Sequence, residues 1–289
     1  MPIEKISSCR LCGSGDLKFK YEINLSNILE CNNCSFTQVN EIPSEHDLLK
    51  LYGDSYFKKG KYIEDRAIRY EQKRRLNWIL KCRGKSNGRL LDVGCSTGDF
   101  ISLAKNRFDI WGQDISEFAI SNIISKYPDL SPRLSVCSIE NSNYKDSFFD
   151  IITLWDVIEH LWEPVKIIKM LSKKLKPGGC LFISTPNTGA IIAKLLGKRW
   201  AFMTPPEHLC FFNKTTINML NKKHNLKITD WISQGKWVNF GFLVYKLNRV
   251  FPDLISTNMV DYVQKSFLAH LTLYIPTGDI QYVCARLNK

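Results

Sequence analysis

Arg89-Leu90-Leu91-Asp92-Val93-Gly94-Cys95-Ser96-Thr97-Gly98 decides the fold. Its first half is a short apolar run that stops at a glycine-containing turn, and a helix follows from about Asp99. Working outward, strands and helices alternate. Residues 108–114 read as a second strand with a helix from Ser116-Glu117, and residues 133–136 as a third. Residues 149–155 read as a fourth, with a helix over 165–175, and Lys176-Pro177-Gly178-Gly179 is a sharp turn into a fifth at 180–184. Strands alternating with helices build parallel βαβ units. The expected class is therefore α/β, a Rossmann-like doubly wound sheet.

The glycine turn is neither Gly-x-Gly-x-x-Gly nor a phosphate loop, and it lacks the lysine that holds phosphates. Asp92 offers a carboxylate at the strand's C-terminal edge, where an ammonium group fits. Asp114 ends the second strand, where a doubly wound fold sets an acid on ribose hydroxyls. Together these favour an adenosine ligand with a cationic amino-acid tail over a pyrophosphate.

Four stretches carry a family resemblance. They are Leu91-Asp92-Val93-Gly94-Cys95-Ser96-Thr97-Gly98, Gln113-Asp114-Ile115-Ser116, Phe149-Asp150-Ile151-Ile152 with Trp155-Asp156-Val157-Ile158-Glu159-His160, and Lys176-Pro177-Gly178-Gly179. Over roughly residues 50–230 the chain resembles class I S-adenosylmethionine-dependent methyltransferases. The resemblance implies a seven-stranded sheet and S-adenosyl-L-methionine as cofactor. It places Gly94 and Gly98 along the methionine part, Asp114 on the ribose and Ile115 on the adenine. Asp92, Cys95, Ser96, Ser138, Ile139, Trp155 and Asp156 complete the expected cofactor contacts. Ser138 stands where the family often has an acid on the adenine amine.

Cys9-x2-Cys12 and Cys31-x2-Cys34, 18 residues apart, have the spacing of a structural zinc site. About 40 residues bury too little apolar area to fold alone, so Zn2+ would supply the missing stability. The expected organisation is a zinc ribbon at 1–45, a basic helical connector at 46–86, and the methyltransferase domain at 87–289. Segments 186–213 and 233–279 of that domain are expected to cover the substrate. Residues 190–200 read as an amphipathic lid, with Ile191, Ile192, Leu195 and Leu196 at helical spacing.

The net charge of +12 is unevenly spread: residues 1–50 carry −2, residues 51–90 carry +8, and residues 181–230 carry +5. The two basic segments are expected to flank the substrate mouth and attract anionic substrates. No run of about 18 apolar residues predicts a transmembrane segment, and the first residues lack a signal-peptide pattern, so a cytoplasmic address is expected.

His208, in Thr204-Pro205-Pro206-Glu207-His208-Leu209, and His160 are the candidate bases, with Glu207 as a further acid or base. The layout resembles small-molecule methyltransferases of bacterial surface-polysaccharide and secondary-metabolite clusters, and its core is similar to ubiquinone-pathway O-methyltransferases. This implies methyl transfer to a hydroxyl of a sugar or other anionic metabolite, the acceptor being a nucleotide-linked or lipid-linked sugar, with peripheral membrane contact as an option. Two other readings stay open. One is an rRNA or tRNA methyltransferase gripping nucleic acid through the ribbon, against which stands the ribbon's net acidity. The other is an inactive cofactor-binding partner protein.

Overall fold

The computed structural model describes residues 5–41, 66–251 and 253–288. Lys58, Lys59 and Lys61 of the basic connector lie outside the described residues.

Strands β1 (Leu17–Ile23), β2 (Ser26–Cys31) and β3 (Thr37–Val39) form an antiparallel meander behind the first cysteine pair. Helix α1 (Arg66–Arg83) follows, with Ile79 fully buried as its periodicity predicts. The sheet then begins: β4 (Arg89–Val93), α2 (Asp99–Ala104), β5 (Asp109–Asp114), α3 (Glu117–Lys126), β6 (Leu134–Val136) and β7 (Phe149–Trp155). Ser116 caps α3 by accepting from Ala119 N–H, which fixes where the chain turns after β5. Helix α4 (Pro164–Lys174) opens on a proline and buries Ile167, Ile168 and Leu171 on one face.

Strand β8 (Leu175–Pro186) starts earlier than its apolar run. Its register against β7 jumps from Phe149–Leu175 to Ile151–Cys180, so Lys176–Gly179 bulges outward as the expected turn, with Gly178 at φ +76. The chain continues through α5 (Ile191–Leu196), β9 (Cys210–Phe211), α6 (Lys214–Lys222), β10 (Leu226–Asn239), α7 (Phe240–Val250), α8 (Thr257–Lys265) and β11 (Thr272–Leu287).

The main sheet has seven strands in the order β10-β11-β8-β7-β4-β5-β6. Strands β4 to β8 run parallel, while β11 is antiparallel to both β8 and β10. Apolar clusters fill both faces: Leu91, Ile152, Ile183 and Val283 on one, Leu90, Ile151, Phe182 and Tyr282 on the other. This one-residue offset is the strand alternation of a two-sided sheet. No helix among the described residues is long and apolar enough to cross a membrane.

One connection was invisible in the sequence. Strand β9 leaves the main sheet and joins the N-terminal meander, giving a second sheet β1-β2-β3-β9 with Thr37 opposite Phe211. Arg10 locks this joint. Its guanidinium donates to the carbonyls of Trp162 and Leu209, each at 2.7 Å, and lies 3.9 Å over the Trp162 ring. The cysteine module is thereby built onto the loop that carries His208.

Candidate active site

The glycine turn lies at the C-terminal edge of β4 and β5, where the cofactor contacts are expected. Gly94 (φ +68) and Gly98 (φ +83) sit in the left-handed region. A Cβ on Gly94 would meet Val157 at 2.6 Å, and one on Gly98 would meet Ile123 at 2.7 Å, so no side chain fits at either position. Gly94 N–H and Cys95 N–H both donate to Gln113 O. The Asp114 carboxylate accepts from Ser96 N–H at 2.9 Å and Ser116 N–H at 3.0 Å, tying the glycine turn to the end of β5. Burial raises the Asp114 carboxyl above its ordinary range, opposed by those main-chain donors.

Three observations test whether a nucleoside with a cationic tail fits here. Ser96 Oγ is buried without a hydrogen-bond partner among the described residues. Ile115 is 39% exposed directly after Asp114, an uncovered apolar face suited to a base. Ser138 is half-buried in the loop after β6, with Ile139 buried beside it. The residues fit the group. Asp92, Cys95 and Trp155 differ from this set, because their side chains turn into the protein. Asp92 is 2% exposed, accepts from Thr153 Oγ1 at 2.6 Å, and is pushed by burial up to about 7. Cys95 and Trp155 belong to the apolar core, and Trp155 packs edge-on against Phe100.

The neighbouring edge, at the ends of β7 and β8, holds a dense polar cluster. Asp156, at φ +56, pairs with Arg75 of α1 at 2.5 Å and accepts from Ser184 Oγ at 2.7 Å. Burial alone would raise its carboxyl, yet Arg75 and then Lys236, 3.9 Å away, hold it well below the usual carboxylate range. Arg75 is itself 6% exposed and lies over the Trp155 ring at 5.3 Å. Arg74 pairs with Glu71, and Tyr282 donates to the same carboxylate.

Past Asp156, a 3-10 turn over Ile158–His160 brings Glu159 and His160 to face His208. Glu159 is 2% exposed, accepts from Thr185 Oγ1 at 2.9 Å, and is pushed up to about 8 by burial and by Asp156. The His160 and His208 rings lie 4.8 Å apart, edge to face. Each Nδ1 meets a main-chain carbonyl: Glu207 O at 2.8 Å for His160, Phe202 O at 2.7 Å for His208. A carbonyl can only accept, so each Nδ1 carries the proton and each Nε2 is left as the acceptor. Burial and the facing His160 ring lower His208 to about 3, and burial lowers His160 as well.

A methyltransferase-domain family model matches residues 62–230 of this chain. The chain belongs to that family. It is a class I S-adenosylmethionine-dependent methyltransferase. A ubiquinone biosynthesis O-methyltransferase of Aliivibrio fischeri strain MJ11 is 26% identical over 193 residues, 59% of this chain and 82% of that protein. The Coxiella burnetii protein of the same name is 30% identical over 166 residues, 56% and 68% respectively. Among solved structures, the YcgJ protein of Bacillus subtilis aligns with TM-score 0.54 and 12% identity, over 75% of this chain and 99% of its own. An S-adenosylmethionine-dependent methyltransferase of Archaeoglobus fulgidus gives 0.51 and 18%, over 76% and 94%.

Besides Asp92, Cys95 and Trp155, the methyltransferase departs from its sequence reading in three further places. The basic segment 51–90 is expected to flank the mouth and attract anions, but Arg74 and Arg75 of its helix are held in ion pairs with Glu71 and Asp156. His208 is expected as a base, and burial against a second imidazole lowers its pKa to about 3. Glu207 enters the cluster through its main-chain carbonyl on His160 Nδ1, rather than at its centre as a carboxylate. The residue that sequence reasoning missed is Glu159. The signal was the acid immediately before His160, inside a motif already quoted.

The four cysteines form a second convergence. Cys9 Sγ–Cys34 Sγ and Cys12 Sγ–Cys31 Sγ are both 3.6 Å apart, and all four sulfurs lie within 4.8 Å of one another. Four thiols so placed suit a tetrahedral ion.

Proposed function

We propose that this methyltransferase transfers a methyl group to a hydroxyl of a small molecule, with the Glu159–His160–His208 cluster accepting the hydroxyl proton. The reading is carried by the paired Nδ1–carbonyl contacts, which fix both imidazoles in the tautomer whose Nε2 accepts. When bound, S-adenosyl-L-methionine supplies an electrophilic sulfonium methyl. The glycine turn, Ser96, Asp114 and Ile115 would hold it at the edge beside this cluster.

Both histidines stay neutral at pH 7, because their pKa values are lowered, so the His208 Nε2 can accept a proton. A neutral imidazole of such low basicity cannot keep the proton. Glu159, pushed up to about 8, can. His208 therefore receives and relays the proton, and Glu159 is its resting place. The sign of the pH dependence follows. Turnover needs Glu159 ionised, so it rises with pH through about 8.

The O-methyltransferase names of the relatives support a hydroxyl acceptor. An anionic acceptor such as a nucleotide-linked or lipid-linked sugar is our finer proposal, motivated by basic residues 194–199 beyond β8. Zn2+ on Cys9, Cys12, Cys31 and Cys34 is proposed as the structural ion that braces β9 and, through it, the His208 loop. The test of the base is turnover of the donor against a panel of hydroxylated compounds. His208→Ala should lower turnover at least ~10-fold while cofactor affinity stays the same. Unchanged turnover would sink the proposal.

A second reading has its own observation. Glu159, His160 and His208 present one carboxylate and two imidazoles within 4.8 Å, the donor set of a divalent-cation site. Activity that survives chelation, with the cysteine-bound zinc still present, favours the base. Activity lost and restored by added divalent ion favours the cation.

A further inference from the structure

Strand β10 lies at the edge of the main sheet, three places from β7, yet one of its side chains reaches the end of β7. The reason is a kink. β10 pairs with β11 from Leu226–Leu287 to Gln234–Ile280, and the register then jumps to Lys236–Ile275. β8 ends its own pairing with β11 at Pro186–Ile280. Residues 236–239, paired with 272–275, therefore run past the edge at which Asp156 and His160 follow β7. Gly235 sits at the jump. A Cβ there would lie 1.9 Å from Ile275 O, so no side chain fits. Its N–H donates to Tyr274 Oη at 3.0 Å, and its carbonyl accepts from Arg74 at 2.9 Å. The bend is thus stapled to the neighbouring strand and to α1, and it carries Lys236 over the polar cluster.

Lys236 meets that cluster from outside. Both oxygens of Asp156 are engaged from within the protein, Oδ2 by Arg75 at 2.5 Å and Oδ1 by Ser184 Oγ at 2.7 Å. Lys236 Nζ stands 3.9 Å from Oδ2, too far for a hydrogen bond, and its ammonium makes no hydrogen bond among the described residues. The Lys236 side chain keeps 35% exposure, whereas that of Arg75 keeps 7%. Of the two cations on Asp156, Lys236 is the one a bound molecule can reach. The ammonium also lies 5.5 Å over the Phe202 ring, and the His208 imidazole lies nearly parallel to that ring, 6.5 Å from its centre. Beside the burial that dominates both groups, the Lys236 charge is felt at His208 and at Glu159.

We infer that Lys236 is a catalytic residue whose ammonium binds the acceptor oxygen as that oxygen gives up its proton. The inference rests on the hydroxyl-acceptor reading above. In this step the O–H bond breaks, the proton passes to His208 Nε2, and the electron pair stays on the oxygen as negative charge. An ammonium held by one long contact turns its three N–H donors to that charge without breaking a hydrogen bond of its own. A fixed donor at a developing oxyanion is worth ~10²–10³-fold in rate. The competing role, a structural partner for Asp156, is already filled by Arg75.

The test compares full-length wild type with Lys236→Met, Lys236→Arg and His208→Ala on the acceptor found in the panel. Lys236→Met should lower kcat ~10²-fold, with thermal midpoint and S-adenosylmethionine affinity as in wild type, because a half-exposed pair contributes little to stability. Lys236→Arg keeps the charge and should recover at least ~10-fold of that loss. Without donor, 4-nitrophenol should bind wild type and Lys236→Arg as its coloured anion, and Lys236→Met at least ~10-fold more weakly. Turnover of Lys236→Met within ~3-fold of wild type overturns the inference. So does nitrophenolate binding that is absent from wild type or equal in Lys236→Met, and so does a Lys236→Arg no faster than Lys236→Met. Failure of the base reading shows separately, as an unimpaired His208→Ala beside an impaired Lys236→Met, and failure of the Lys236 inference gives the reverse.

Discussion

Replacing Arg75 with methionine tests how the connector helix is held on the active site. Met keeps much of the volume over Trp155 and removes the charge together with the hydrogen bonds to Asp156, Gln72 and Ser184. In the wild type Arg75 is 6% exposed and meets Asp156 at 2.5 Å. Removing one partner of a buried pair costs about 3–5 kcal/mol, because the other charge is stranded. Two features lower that range here. Lys236 lies 3.9 Å from the same carboxylate, and the Asp156 side chain keeps 30% exposure, so solvent screens part of its charge. Arg75→Met should therefore cost roughly 2–4 kcal/mol, or about 5–15 °C in the thermal midpoint for a domain of this size. Urea unfolding of wild type, Arg75→Met, Asp156→Asn and the double variant gives the coupling directly. It should be at least ~1.5 kcal/mol, since Asp156→Asn leaves no charge to strand. A coupling below ~0.5 kcal/mol would refute the reasoning, because the pair would then contribute packing alone.

Three further outcomes follow from the same geometry. Asp114→Ala should weaken S-adenosylmethionine binding by ~1.5–3 kcal/mol in calorimetry, the usual loss for a hydrogen bond to a charged group. Glu159 has a raised pKa, so the stability its proton contributes is full below about pH 4.5 and lost as pH rises through about 8. Glu159→Gln avoids that loss and should be more stable than wild type above pH 8, by up to roughly 3–5 kcal/mol, with the gap closing near pH 4 in urea unfolding; a gap independent of pH contradicts the burial argument. Metal analysis should find about one zinc per chain, lost in Cys31→Ser/Cys34→Ser; zinc retained by that variant rules out the four-cysteine site.

Much of the sheet was legible because its signals are local. Strands β4 to β7 fall within a residue of their apolar runs, and Gly94 and Gly98 stand where only glycine fits. The cysteine pairs converge as their spacing required. What escaped depends on tertiary placement. A basic helix reads as solvated, and nothing local shows that Arg74 and Arg75 meet Glu71 and Asp156. Strand β9 has two residues, too few for any periodicity, so its union with the cysteine module was unreadable. Asp92 looked like a cofactor ligand by position, and burial under the turn gives it Thr153 instead. Glu159 carries no pattern of its own, and its raised pKa arises from burial beside Asp156.

We propose that this methyltransferase places a methyl group on an oxygen whose proton leaves through His208 toward Glu159. The most direct measurement is turnover with methyl-13C S-adenosylmethionine on the acceptor found in the panel, with the product read by NMR. A methyl-ether carbon is expected, formed at a rate that rises through about pH 8 in wild type and is cut at least ~10-fold in His208→Ala. A label found on carbon or nitrogen, or an ether formed equally fast by the variant, would contradict it.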